Sequence, residues 1–348
     1  MERRISEYPF AKKVVTVGGG GGQFVALCGL TDRNYPEYNT AIFGPWDNGS
    51  KSGVARIKFG VMPPGDYFFC LYGLMEDPNQ IAYAVALLNN REETPQLETP
   101  MLRDLLANSA EKKYHGINEG VDAIRGLLRI RGKVIPVSTM DLTLYCETSN
   151  GEIIKGETNI DKRGETADFD PKNVTRNIFF DIEAQANPRA IEEMHQADKI
   201  VFTQGSPYTS IYPHLRVNGI TQAIMESTAE LTVVLNLSTT KGEDHHLDTV
   251  SKWLHEFEHL LGERKAILKG KKNSRIDRII INNDSIDEEV EVDYINKGQG
   301  LVRYDIEECA IIARGIEIIE TGLIDEDEMT KNRLLRTDSQ KLALAILN

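Results

Sequence analysis

Surplus positive charge, aromatic residues, paired cysteines and long apolar runs are all scarce in this 348-residue sequence. Lysines and arginines number 40 against 53 aspartates and glutamates, a formal net charge of −13, so the chain as a whole repels a nucleic-acid backbone. A basic run over 264–275 (RKAILKGKKNSR) departs from that average, but it lacks interleaved aromatic side chains and reads as a solvated loop and helix end. The four cysteines, Cys28, Cys70, Cys146 and Cys309, stand far apart with no C-x-x-C. That spacing argues against a disulfide framework or a thiolate metal site and for reduced core residues. No stretch approaches the roughly 18 consecutive apolar residues of a membrane helix. The first 13 residues carry charges and a proline where a secretory signal would carry an apolar core. A cytoplasmic protein that neither inserts in a membrane nor binds nucleic acid is expected.

What the sequence does contain is alternation of short β-branched runs with helical patterns. Residues 14–17 predict a strand that meets five glycines and then a helix over 24–30. Residues 40–43 predict a second strand, and a polar loop at 47–53 follows it. A Pro-Pro-Gly-Asp stretch opens a helix running to about Met75, and 79–89 and 102–112 also read as helices. From Lys133 the pattern changes: 134–137, 141–146 and 152–155 alternate in the β manner around the turn signal Asn150-Gly151, which predicts an antiparallel insertion over 133–160. Strands at 199–202, 231–237 and 276–281 then alternate with helices at 210–227 and 247–261. Strands separated by helices imply right-handed crossovers and a doubly wound, mainly parallel sheet. The expectation is one large α/β domain over 1–348, with 284–348 as a C-terminal segment whose last helix closes over the rest.

Polar, glycine-bearing loops recur at the strand ends, where open α/β sheets bind their ligands. Gly18, Gly19, Gly20, Gly21 and Gly22 end the first strand, so backbone N–H groups and the positive end of the next helix face the same place, and a phosphate fits there. The spacing fails G-x-G-x-x-G at Gln23, and no acid stands about 20 residues on to hold a ribose, which disfavours a nicotinamide cofactor. The loop after the second strand carries Asp47, Asn48, Ser52 and Gly53, groups that suit sugar hydroxyls, with Lys51 or Arg56 to neutralise phosphate. Gly65-Asp66 opens a helix, so Asp66 serves either as an N-cap or as a carboxylate aimed at a magnesium-bound diphosphate. A later strand runs into Gln204, Gly205, Ser206, Tyr208, Thr209 and Ser210. The next strand runs into Asn236 and, further on, Gly242 and Glu243.

In these motifs the chain resembles the gluconeogenesis-factor and CofD-like family from Lys13 to about Asn283. The matching runs are V-V-T-V-G-G-G, the Asp-to-Ser-Gly-x-x-Arg loop at 47–56, P-P-G-D at 63–66, R-G-K-V-I-P-V at 131–137, Gly156-Glu157, G-S-x-Y-T-S-x-x-P at 205–213 and N-L-x-T-x-x-G-E at 236–243. Leu335-Arg336-Thr337-Asp338 is similar to the family's closing L-R motif, which makes Arg336 a nucleotide-sugar contact by resemblance. The resemblance implies a Rossmann-like three-layer α/β/α fold that binds a nucleotide and forms a homodimer. One branch transfers a phospholactyl group from a dinucleotide to a deazaflavin alcohol. The other binds UDP-N-acetylglucosamine and supports carbon and cell-wall metabolism, and P-P-G-D with the tyrosine turn places this chain nearer to it. If chemistry occurs, Asp47 or Asp66 would hold a magnesium ion or the acceptor hydroxyl. Some positions depart from the pattern. Asn48 replaces a second aspartate, 100–104 lacks the usual His and Asn, Gln204 replaces proline, and Asp248-Thr249 stands for Asp-His.

A competing signal is His255-Glu256-Phe257-Glu258-His259, which matches H-E-x-x-H and on a helix would set two imidazoles beside a glutamate for zinc hydrolysis. The same segment supplies a core face through Trp253, Leu254 and Phe257, and zinc would need a third ligand from His245, His246 or a later glutamate. No metal site is expected there. Acidic stretches at 284–293 and 325–327 suit partner surfaces but more commonly are solvated faces.

Overall fold

Seven parallel strands and the helices that connect them carry the chain in the computed structural model, which describes residues 10–49, 52–90, 100–262, 274–312 and 315–348. The link at 91–99 and residues 264–273 of the basic run lie outside those described. β1 (Val14–Gly18) leads through α1 (Gly20–Arg33) to β2 (Asn39–Phe43). Then come α2 (Ser52–Phe59), α3 (Gly65–Gly73), α4 (Pro78–Leu88), α5 (Leu102–Tyr114) and α6 (Ile117–Leu127) before β3 (Lys133–Pro136). The next stretch holds β4 (Leu144–Thr148), β5 (Ile153–Lys155), α7 (Glu157–Asp161) and β6 (Thr175–Phe180). After it run α8 (Pro188–Gln196), β7 (Lys199–Phe202), α9 (Ile220–Glu226), β8 (Glu230–Val234), α10 (Val250–Leu261) and β9 (Arg278–Asn282). The chain then forms α11 (Glu288–Asn296), α12 (Ile306–Ile312), β10 (Glu317–Thr321), α13 (Glu326–Asn332) and α14 (Ser339–Leu347).

The main sheet has the order β10-β9-β8-β7-β1-β2-β3, with every pairing parallel. Strand order therefore reverses between β1 and β7, the switch point at which a doubly wound sheet opens a crevice. Period-two alternation sends the strand side chains to opposite layers. Val15, Val17, Ile200, Phe202, Leu231 and Val233 share a core with Ala190, Ile220, Trp253 and Phe257 of α8, α9 and α10. Val14, Val201, Val234 and Ile280 face the other way, onto Ala26 and Leu30 of α1 and Leu342 and Ile346 of α14. Ala41, Phe43 and Val134 meet α3, α5 and α6 on that same side. With both faces covered, the central strands are hydrophobic without a break. This is the expected three-layer Rossmann-like arrangement.

Beside it lies a three-stranded antiparallel sheet, β5-β4-β6. It differs from the insertion expected over 133–160. Residues 134–137 do not join it, because β3 pairs in parallel with β2, and β6 supplies the third strand instead. Leu144, Cys146 and Ile178 tuck one face of this small sheet into the main core. The helix expected over 210–227 is also divided: 207–216 is wound in tight π and 3-10 turns, and α9 starts only after Gly219, whose φ of +98° breaks the run.

α14 closes the C-terminal segment onto α1. Gly29 makes this possible, since a Cβ there would sit 1.9 Å from the Ser339 carbonyl oxygen. No helix among the described residues is long and apolar enough to cross a membrane.

Candidate functional site

At the switch point, where the carboxyl ends of β1, β7 and β8 meet the last stretch of chain, lies a cavity of about 600 Å3. Four expected strand-end features line it: Gly19 to Gly22 from the start of α1, Gln204, Gly205, Ser206 and Ser210 after β7, Asn236 after β8, and Arg336. Phe24, Val25, Leu237, Ser238, Leu335 and Thr337 complete the wall. Of these, Leu237, Ser238, Leu335 and Thr337 fall inside the motif runs at 236–243 and 335–338, while Phe24 and Val25 lie in the helix pattern and carry no signal of a site.

The glycine turn differs from the loop expected before a helix at 24–30. α1 starts at Gly20, which has a φ of +58°, and the Gly20 N–H donates to Asp66 Oδ1 at 2.9 Å. Asp66 lies one residue inside α3 and caps a neighbouring helix instead of its own. Gly22 is fixed by close approach: a Cβ would stand 1.9 Å from the Gln204 carbonyl oxygen. Much of the glycine run is therefore explained by packing. Gly21 is the exception, exposed and with nothing within 4 Å of a Cβ. N–H groups in the first turn of a helix have no intrahelical acceptor, so this turn offers donors to an anion.

Across the cavity, the β7 and β8 loops are tied together. Asn236 spends its amide on Gly205 through two hydrogen bonds of 2.9 Å, and Gln204 Nε2 donates to the Leu235 carbonyl at 2.8 Å. Both side chains shape the wall instead of reaching freely into it. Arg336 is exposed and forms no ion pair among the described residues. Its cation is available.

Other expected contacts stand away from this cavity, each for an identifiable reason. The Tyr208 hydroxyl meets His246 Nε2 at 3.0 Å. Thr209 donates to Glu243 Oε1 at 3.0 Å, and its carbonyl accepts the Trp46 indole N–H at 2.7 Å. Glu243 is wholly buried, and burial, then the neighbouring Asp244, pushes its carboxyl well up. Gly242 packs against the Gly164 backbone. Arg56 donates to the Leu142 carbonyl at 2.8 Å and pairs with Asp141 at 2.5 Å, so it is committed there and does not line the cavity. Asn48 accepts the Thr158 N–H at 2.9 Å. Gly18 ends β1, and Gly65 is buried at the start of α3. Ser52 and Gly53 begin α2, but their surroundings, like Lys51, lie outside the described residues.

On the β1–β2 side, carboxylates crowd together. Asp47 accepts its own turn's Gly49 N–H at 2.7 Å. Burial, then the charge of Asp47, raises Asp66 to about 7. Burial, then Asp47, Asp161 and Asp66, raises Glu157 to about 8. Arg103 acts on Asp66 in the opposite direction. Sequence reading singled out neither Glu157 nor Arg103 as a site residue. The Gly156-Glu157 pair was the available signal for the first. For Arg103 the only cue was its place in the divergent 100–104 stretch.

The zinc alternative finds no support in the geometry. His255 and His259 are exposed on α10 while Trp253 and Phe257 point into the core. His245 Nε2 faces the Pro171 carbonyl at 2.8 Å and His246 is engaged with Tyr208. Among the described residues no three His, Cys, Asp or Glu side chains gather as metal ligands.

The family described as 2-phospho-L-lactate transferase CofD matches residues 14–324. The chain belongs to the CofD family. Among its relatives, a Halalkalibacterium halodurans protein named gluconeogenesis factor is 30% identical over 338 residues, covering 97% of this chain and 96% of its own length. The Bacillus subtilis gluconeogenesis factor is 27% identical over 338 residues, covering 97% of both chains. A crystal structure of a Bacillus halodurans protein superposes with a TM-score of 0.83 at 28% identity, covering 97% of this chain and all of that one. The fold of that structure is thus shared along nearly the whole length of this chain.

Proposed function

We propose that this CofD-family chain binds a nucleotide or nucleotide sugar of the UDP-N-acetylglucosamine type in the switch-point cavity. On this reading it works in the cytoplasm as a regulator of carbon and cell-wall metabolism, through binding instead of turnover. The observation that carries the reading is the cavity itself. Its lining brings together the first turn of α1 at Gly21 and Gly22, Arg336, which forms no ion pair among the described residues, and Ser206 and Ser210, in a space of nucleotide dimensions. Backbone donors and a guanidinium suit a diphosphate, and the Ser210 hydroxyl suits a sugar. The likeness to proteins named gluconeogenesis factor supports the regulatory half.

A thermal-shift panel of UDP-N-acetylglucosamine, GDP and NAD tests the proposal. A ligand at 100 times its Kd adds roughly 2.7 kcal/mol of stability; no shift with any of the three would sink it. A homodimer belongs to the same reading. α4 leaves Tyr83 and Leu87 exposed at 77% and 61%, an apolar surface that a second copy would cover, and sedimentation equilibrium measures it.

The crowded carboxylates favour a second reading, phospholactyl-type group transfer. A magnesium ion arriving with the nucleotide would relieve the repulsion that raises Asp66 and Glu157, and Asp47 or Asp66 would alternatively hold the acceptor hydroxyl. Incubation with a dinucleotide donor and a deazaflavin alcohol decides it: release of nucleoside monophosphate supports transfer, and its absence leaves binding alone.

A further inference from the structure

The small antiparallel sheet has a cavity of its own, about 560 Å3, which shares no lining residue with the switch-point cavity. Arg163 lines it while only 6% exposed. Its Nη1 reaches Thr175 Oγ1 at a long 3.4 Å, and its Nη2 is buried with no hydrogen-bond partner. Among the described residues Arg163 forms no ion pair. A buried guanidinium left without an anion is costly, and the group cannot shed its charge.

The surroundings hold this cation in place without neutralising it. The Phe169 ring lies 5.7 Å from the Arg163 guanidinium carbon and 5.7 Å from Lys241 Nζ, so the aromatic face steadies two cations at once. Lys155 and Lys162 line the same cavity with exposed side chains and form no ion pair among the described residues. Three acids line the cavity, Glu152, Asp168 and Asp170, none of them in an ion pair with Arg163 among the described residues, while Asp161 lies beside Lys162. Glu152 accepts from Asn173 Nδ2 at 3.4 Å, and Asp170 accepts the Lys172 N–H at 2.9 Å.

We propose that this cavity is a second ligand site, which takes a small oxyanion-bearing metabolite, its phosphate or carboxylate group seated on Arg163 and flanked by Lys155 and Lys162. The guanidinium fork matches either group with two parallel hydrogen bonds, and the volume falls in the range of metabolite pockets.

Calorimetric titration of the full chain with inorganic phosphate and with malonate tests the site and separates the two anions. At least one should bind the wild-type protein, with affinity falling tenfold or more in Arg163→Gln and about threefold or more in the Lys155→Gln/Lys162→Gln double variant, and unchanged in Arg336→Ala. Should Arg163→Gln fail to fold, the exposed lysine pair decides alone. Failure of both anions to bind, equal affinity in wild type and the lysine variant, or binding lost in Arg336→Ala would overturn the proposal.

Discussion

Asn236 holds Gly205 by both backbone polar groups: its amide oxygen accepts the Gly205 N–H and its NH2 donates to the Gly205 carbonyl, each at 2.9 Å. One side chain thus sets the distance between the β7 and β8 loops. Asn236→Ala leaves two partly buried groups unpaired and should cost about 1–3 kcal/mol in chemical denaturation. Nucleotide affinity should fall alongside it, because the wall that presents Ser206 loses its tie.

Arg336 is exposed and unpaired, so removing it separates binding from folding. Arg336→Ala should change stability by no more than about 0.5 kcal/mol while weakening UDP-N-acetylglucosamine tenfold or more in calorimetry. Arg336→Lys should recover part of the loss, since charge returns without the planar fork.

Neighbouring glycines should respond with opposite signs. Gly22→Ala drives a methyl into the Gln204 carbonyl and should destabilise by about 1–3 kcal/mol or more. Gly21→Ala meets nothing within 4 Å and should stabilise α1 by about 0.5–1 kcal/mol, yet the added methyl enters the cavity and should weaken the ligand. Melting curves with and without ligand distinguish the two effects.

Stability should decline as pH rises through the range in which Asp66 and Glu157 ionise. Their folded-state pKa values, raised to about 7 and about 8, exceed those of the unfolded chain, so the native state holds more protons in between. That contribution is fully present below about pH 4, where these carboxyls are protonated in the unfolded chain as well, and is lost progressively as pH rises through about 7 for Asp66 and about 8 for Glu157. Glu157→Gln fixes the neutral state: melting should match wild type near pH 4 and rise progressively above it up to pH 8.5, by on the order of 1–4 kcal/mol. Equal melting at both pH values would remove the electrostatic argument for the carboxylate cluster.

The central strands were legible because strands of a parallel sheet buried on both faces are rich in β-branched and apolar residues, as Val14 to Val17 and Ile200 to Phe202 are. β10 escaped notice, since an edge strand reading EIIET is half exposed and bounded by acids. α8 went unread although Asn187-Pro188 is a start signal, with the Asn187 side chain accepting the Arg189 N–H. At the site, loops ending strands were visible as polar clusters, but which side chains face the cavity was not. Tyr208, Thr209 and Glu243 read from sequence as available in the way Ser210 does, and only folding shows that they are spent on His246, Trp46, Ser206 and one another. Glu157 escaped for a related reason, because the carboxylates that raise it, Asp47 and Asp66, lie far from it along the chain.

The docking of α14 on α1 has a consequence for biosynthesis. A ribosome that has released everything through β9 has exposed the glycine turn and six of the seven strands of the main sheet, but not Arg336, which lines the same cavity. On the proposed reading, ligand capture waits until Arg336 has been made, and such long-range closure slows folding. A nucleotide bound in this crevice would certify that translation had passed residue 336.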